Sequence, residues 1–346
     1  MKRWAWIVAF CACTSSTPDS PKPADAGGDL PATVTPDSRA VGEKVALLSN
    51  QKGLKDLAVD ETGVYWTSTD GDGAVGRVPL AGGSATVLST GHQGWSLAVN
   101  RRSIYIAASD AEPIWDAMKF FALLEVPMGG GTATAFLPRA GNPVPDILSW
   151  SGTDLLVDDT DLYFVGRKGL TGLSLAHPVL EALAGSVVNR GVAMNATEVF
   201  FAGCRGAGGA PAVVEVNKKT HAVTMTTSEC VAALDEADGV IYWLSQGGDL
   251  SKGWLRSARL NGAPKALGAS TMIADVPGNL SRIAVIPPHA YISTREGTLV
   301  RVALADGAVT TLEGGMVHPR ARLARDPNSL YWITSDESAI WRMRVK

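Results

Sequence analysis

Five histidines and four cysteines carry most of the reactive chemistry available to this 346-residue chain, and they are scattered along it. A metal centre or an acid–base pair needs such groups to converge. His177, His221 and His289 stand alone, and no HExxH or EF-hand spacing accompanies any of the five. His92 and His318 are the catalytic candidates. Both fall in connections of a repeating pattern, with Asp70 and Asp72 of Thr69-Asp70-Gly71-Asp72-Gly73 to complete an acid–base or metal set. The competing reading is of solvated loop histidines beside a Gly-Asp turn. Without a tight motif, the chain is expected to hold no metal and no cofactor.

Nucleophilic and phosphate chemistry fit less well. Gly94-Trp95-Ser96 begins like a nucleophile elbow, but Ser96 opens an apolar strand and no helix follows. The run from Gly203 to Gly209, which includes Cys204, is followed by neither Lys-Ser/Thr nor a helix, so it reads as a flexible connection and not a phosphate loop. Asn195-Ala196-Thr197 reads most simply as a turn.

The elements that must position these residues repeat seven times: LAVDETGVYWTS from Leu57, LAVNRRSIYIAAS from Leu97, LLVDDTDLYFVG from Leu155, VAMNATEVFFAG from Val192, AALDEADGVIYWLS from Ala232, IAVIPPHAYIST from Ile283 and LARDPNSLYWIT from Leu323. Each copy is an apolar strand, a polar turn and an aromatic strand. The first full unit places strand a at residues 54–59, strand b at 64–67, strand c at 74–80, a turn at Ala81-Gly82-Gly83 and strand d at 84–88. RVPLAGGSATVL recurs as EVPMGGGTATAFL from Glu125, and SARLNGAPKAL from Ser257 is read as a later copy of that c–d segment.

Four-stranded units of roughly 40–50 residues predict a β-propeller. The expected fold is all-β, a seven-bladed propeller of four-stranded antiparallel blades over residues 44–346, with six or eight blades as the alternatives. Adjacent Tyr65-Trp66, Tyr242-Trp243 and Tyr331-Trp332 point to opposite faces of their strands and can pack against both neighbouring blades. The last unit lacks a strand d. Residues 44–49 read like strand d without a blade in front, so an N-terminal strand is expected to close the ring and remove two open sheet edges.

Val64-Tyr65-Trp66-Thr67-Ser68, followed by Arg77, Leu80 and Gly82, resembles the YWTD-type propeller repeat. Ser68 stands where that tetrad has Asp, and the usual ring of that family has six blades. The resemblance implies extracellular protein binding, in a family whose relatives include both binding modules and enzymes.

Met1, Lys2 and Arg3, then an apolar run to Phe10, form a short n-region and h-region that cannot span a bilayer. Phe10-Cys11-Ala12-Cys13 resembles a bacterial lipoprotein lipobox, which implies cleavage after residue 12, lipidation of Cys13 and membrane contact through that lipid alone. An ordinary secretory signal is the alternative. Residues 13–43, rich in Ser, Thr, Pro, Asp, Ala and Gly and free of aromatics, are expected to be a disordered tether. Losing residues 1–12 moves the net charge from −3 to −5, which excludes an electrostatic footprint for nucleic acid. In an oxidising envelope Cys204 and Cys230 are expected to form a disulfide.

In a propeller the b–c and d–a connections share one face around the channel mouth, and the a–b and c–d turns share the other. The first face collects His92, Trp95, residues 110–119 with Asp110 and Trp115, residues 142–150 with Trp150, residues 246–252 with Asp249, residues 271–279, and His318. His177, His221 and His289 fall on the second. Trp95, Trp115, Trp150, Asp110 and Asp249 are the binding candidates. The function expected is a monomeric, lipid-anchored envelope propeller that binds a protein, glycan or small ligand on its loop-rich face, at the outer membrane facing periplasm or exterior. The alternatives are a periplasmic propeller enzyme, a hydrolase or lyase using His92 or His318, and a scaffold of an outer-membrane assembly.

Overall fold

The computed structural model describes residues 41–109, 121–136, 154–166, 169–184, 189–203, 212–225, 230–246, 250–261, 266–314 and 316–346. Seven antiparallel sheets carry the seven repeats in order. The first blade shows how sequence sets each one. Leu54–Val59, Gly63–Ser68, Ala74–Pro79 and Thr86–Thr90 run up and down as its four strands, from the channel outward. Gly82 at the third turn has φ +83°, a backbone state that glycine adopts without steric cost.

A single device makes most of the first turns. Asp60 Oδ1 accepts from the backbone N–H of Thr62 and Gly63 at 2.7 and 3.0 Å. Asn100, Asp158, Asn195 and Asp326 do the same for the two amides at matching positions in blades two, three, four and seven. The side chain imitates a backbone turn and stops the innermost strand at a fixed point, which sets the register of the aromatic strand behind it. The repeat's Asp or Asn is therefore architectural. Blade six turns instead through a cis Pro287–Pro288 bond.

The aromatic pairs split between blade interfaces as the strand period demands. Trp66 packs with Leu47, Ala324, Tyr331 and Ile340 of blade seven, while Tyr65 packs with Leu97, Ile104 and Ile106 of blade two. Trp243 faces Phe200 and Val213 of blade four, and Tyr242 faces Ile283 and Val285 of blade six. Trp332 faces Tyr291 and Leu299 of blade six, and Tyr331 faces blade one. Trp66, Trp243 and Trp332 rank among the largest fully buried side chains, and truncating one to Ala would cost roughly 3–5 kcal/mol.

The ring closes with its own N-terminal strand. Lys44–Leu48 pairs antiparallel with Ile340–Arg344 as the outermost strand of blade seven, whose other strands are Ala324–Arg325 and Ser329–Ile333. Leu47 is buried, and Lys44 forms an ion pair with Glu313 of blade six.

Blade five departs from expectation. Its third strand, Lys252–Asn261, outlasts the blade: the Ala266–Leu267 segment pairs only with its far end, and the true outer strand is Thr271–Pro277. Residues 266–267 of SARLNGAPKAL are therefore not the blade's strand d, and residues 271–277 belong to an outer strand and not to the loop-rich face. The Gly-Ala-Pro motif mimicked the turn of blade one, whereas the strand that buries Ala274 and Val276 follows it.

Candidate functional site

On the loop-rich face the innermost strands share an irregularity that re-aims side chains. In blade one Leu54 pairs with Ser68 and Asp56 with Thr67, which leaves Lys55 as an extra residue. In blade two Gly94 pairs with Ala108 and Ser96 with Ala107, so Trp95 is extra. Ala232 and Ser281 are the equivalents in blades five and six. A β-bulge releases one residue from the ladder, and here each does so at the channel mouth. Gly94 permits the bulge at Trp95, because a Cβ there would meet Thr67 at 2.7 Å.

Lys55 and Trp95 meet, the ammonium lying 5.5 Å from the ring centroid. Trp95 is 42% exposed, whereas the indole side chains of the repeat cores are buried. The same ammonium lies 2.6 Å from Glu337 Oε2, and Glu337 Oε1 lies 3.0 Å from His318 Nε2. His318 Nδ1 accepts the backbone N–H groups of Arg320 and Ala321 at 3.2 and 2.9 Å. The imidazole is therefore a neutral tautomer with both nitrogens in use. Burial holds its pKa below the ordinary value, helped by Lys55 and Arg320 and opposed by Glu337.

The channel behind this mouth is a cavity of about 350 Å³ lined by the innermost strands of all seven blades. Blades one, two and four give it apolar residues, among them Ala58, Val59, Ala98, Val99 and Ala193, and blades three, five, six and seven give it charged ones. Arg282 Nη1 of blade six donates to both carboxylate oxygens of Asp154 of blade three, at 3.0 and 2.8 Å. Arg322 Nη2 of blade seven donates to Leu155 O of blade three at 3.0 Å. Deeper, Arg325 Nε lies 3.0 Å from Asp235 Oδ2, and its Nη2 donates to Glu236 O at 2.8 Å. Burial opposes the charged form of Arg325, but Asp235 and Glu236 outweigh it and raise its pKa. Burial raises the Glu236 pKa as well. Guanidinium groups thus tie blades six and seven to blades three and five.

His92 lies between blades one and two as expected, and its carbonyl packs where a Cβ on Gly73 would collide. His318 meets Glu337, not His92, and among the described residues no group of three or more His, Cys, Asp or Glu side chains is placed to hold a metal ion. His221 sits on the opposite face beside Glu181, at 2.7 Å. Cys230 immediately precedes strand Val231–Ala237. Trp115, Trp150, Asp110, Asp249, Cys13 and Cys204 lie outside the described residues.

Sequence reading missed the channel charges. The signal was present: LARD puts Arg325 where LAVD has Val59, and AALD puts Asp235 where the first repeat has Ala58, as the pairing of Arg325 with Leu330 and of Asp235 with Tyr242 shows.

No protein-family model matches the chain, and no curated protein matches it in sequence. Solved structures share its fold. YCF48 bound to D1 peptide is 12% identical with a TM-score of 0.60, over 89% of this chain and 96% of that one. The β-propeller domain of Cps50 (Swd1) from Myceliophteria thermophila is 12% identical with a TM-score of 0.59, over 88% and 100%. PorZ, a bacterial surface component of the type-IX secretion system of Porphyromonas gingivalis, is 13% identical with a TM-score of 0.56, over 88% of this chain and 38% of that one. The seven sheets of the chain and these likenesses in fold define one class, the seven-bladed β-propeller.

Proposed function

We propose that this chain is a binding module that takes a protein or peptide on its loop-rich face, with Trp95 as an anchor. The observation that carries the reading is the bulge at Trp95: the ladder releases an aromatic side chain to solvent at the channel mouth, and Lys55 packs against it. An exposed Trp on a half-buried, hydrogen-bonded support is the kind of residue that dominates binding energy. Arg282 and Asp154 span the channel behind it, which favours a ligand on the face over one threaded through the ring. YCF48, solved with a peptide, lends support through fold alone. The enzyme alternative is weaker because both ring nitrogens of His318 are spent on structure.

We also propose that Cys13 carries a lipid that holds the module in a bacterial envelope, and that Cys204 pairs with Cys230. The first rests on the lipobox-like run, and loss of membrane fractionation in Cys13→Ala tests it. The second is supported by the disulfide-bonded state of Cys230, and alkylation of both thiols in unreduced protein would overturn it.

For the binding face, a partner recovered with the full chain should bind Trp95→Ala about 5- to 150-fold more weakly, roughly 1–3 kcal/mol, with the fold intact. His221→Ala on the opposite face should bind normally. Reversal of that pair of results would move the site to the other face.

A further inference from the structure

On the loop-rich face, the segment from His318 to Ala321 is fixed from three sides. His318 N donates to Ile333 O at 2.8 Å, and His318 Nδ1 accepts the N–H groups of Arg320 and Ala321. Ser281, the bulge residue of blade six, donates its hydroxyl to Pro319 O. Arg282 Nε and Nη2 both donate to Arg320 O, at 3.2 and 2.9 Å. The peptide groups on both sides of Arg320 are thereby immobilised, at the end of a relay that begins at Trp95.

The Arg320 side chain itself is exposed and forms no ion pair among the described residues. The charged groups of the relay and of the adjoining 334–338 turn are committed. Lys55 and His318 share Glu337, Arg282 holds Asp154, and Asp336 accepts from the hydroxyls of Thr334 and Ser338. Among the described residues, Arg320 is left as a guanidinium fork on a fixed backbone with its donors uncommitted. Ordering that backbone in advance removes part of the entropy cost of binding, and the fork matches a carboxylate bidentately.

We propose that Arg320 is a carboxylate-recognition residue for an acidic peptide, which also lays an apolar side chain on Trp95. The proposal deepens the loop-face reading and rests on it only for the Trp95 contact.

The test follows the Arg320 Nε–H and Trp95 Nε1–H resonances of the full chain during titration with three probes. Acetyl-Phe-Asp-amide offers a side-chain carboxylate, acetyl-Phe a terminal one, and acetyl-Phe-Asn-amide neither. At least one acidic probe should move Arg320 and bind about tenfold more tightly than the neutral probe. Whichever acid binds better identifies the source of the carboxylate. Arg320→Gln should abolish the preference while keeping the wild-type melting temperature, because the side chain is exposed. Equal binding of acidic and neutral probes, no binding of any probe, or a preference that survives in Arg320→Gln would overturn the proposal. Movement of Arg320 without movement of Trp95 would uphold carboxylate recognition and remove Trp95 from the loop-face reading.

Discussion

Arg282 and Asp154, 128 residues apart in sequence, meet across the central channel with the guanidinium Nη1 bonded to both carboxylate oxygens. Blade three's innermost strand, Leu155–Val157, has only three residues, so this tie and the bond from Arg322 to Leu155 O hold the short strand against the far side of the ring. Arg282 also fixes Arg320 O, and the same side chain joins the channel to the binding face.

Arg282→Ala should therefore destabilise the fold by roughly 2–4 kcal/mol, since it leaves Asp154 without its counter-charge in a mostly buried site. Asp154→Asn in the same chain should recover part of that loss, because the orphaned charge goes with it. Urea unfolding of the two single variants and the double variant measures the coupling. Strict additivity would show that the pair is not linked in solution.

Deleting residues 44–48 should lower stability sharply and promote aggregation. It uncovers the edge of Ile340–Arg344 and removes the buried Leu47. An unaltered melting temperature would contradict closure by the N-terminal strand.

Asp326 tests the turn device. Its carboxylate accepts from Asn328 N, Ser329 N and the Tyr331 hydroxyl, all within 2.7 Å. Asp326→Ala should cost about 2–3 kcal/mol, and Asp326→Asn clearly less, because Asn100 and Asn195 already do this work in other blades. Equal losses from the two substitutions would mean that the side-chain turn contributes little.

His318 predicts a pH dependence. Its folded pKa is depressed, so the folded state takes up a proton less readily than the unfolded chain. Its contribution is complete above the unfolded value of about 6.5 and is lost as pH falls through the folded value. His289 is depressed too, chiefly by burial, so the difference between wild type and His318→Asn isolates the term. Wild type should lose more stability than the variant between pH 7 and pH 5. Parallel curves would show that His318 does not report on this linkage.

Much of the fold was legible because its signals are local and repeated. Apolar alternation placed Leu54–Val59, and the Tyr-Trp dipeptides announced two buried faces. The orphan strand at Lys44 revealed the closure because the last blade was one strand short. Blade five misled because its turn chemistry resembled a hairpin that does not end the strand. The site was less legible. A bulge depends on cross-strand register, so nothing in Gly94-Trp95-Ser96 alone says that Trp95 leaves the ladder. Lys55 lies on the innermost strand of blade one, whereas His318 and Glu337 lie in connections of blade seven, so they meet only where the first and last blades adjoin.

The binding face is tested most directly by photo-cross-linking in the native cell, with a benzophenone side chain placed at Trp95 in one strain and at His221 in another. A specific adduct should form from position 95 and be lost when Arg320 is also changed to Gln, while position 221 gives none. An adduct from position 221 with none from position 95 would contradict the account and put the partner on the opposite face.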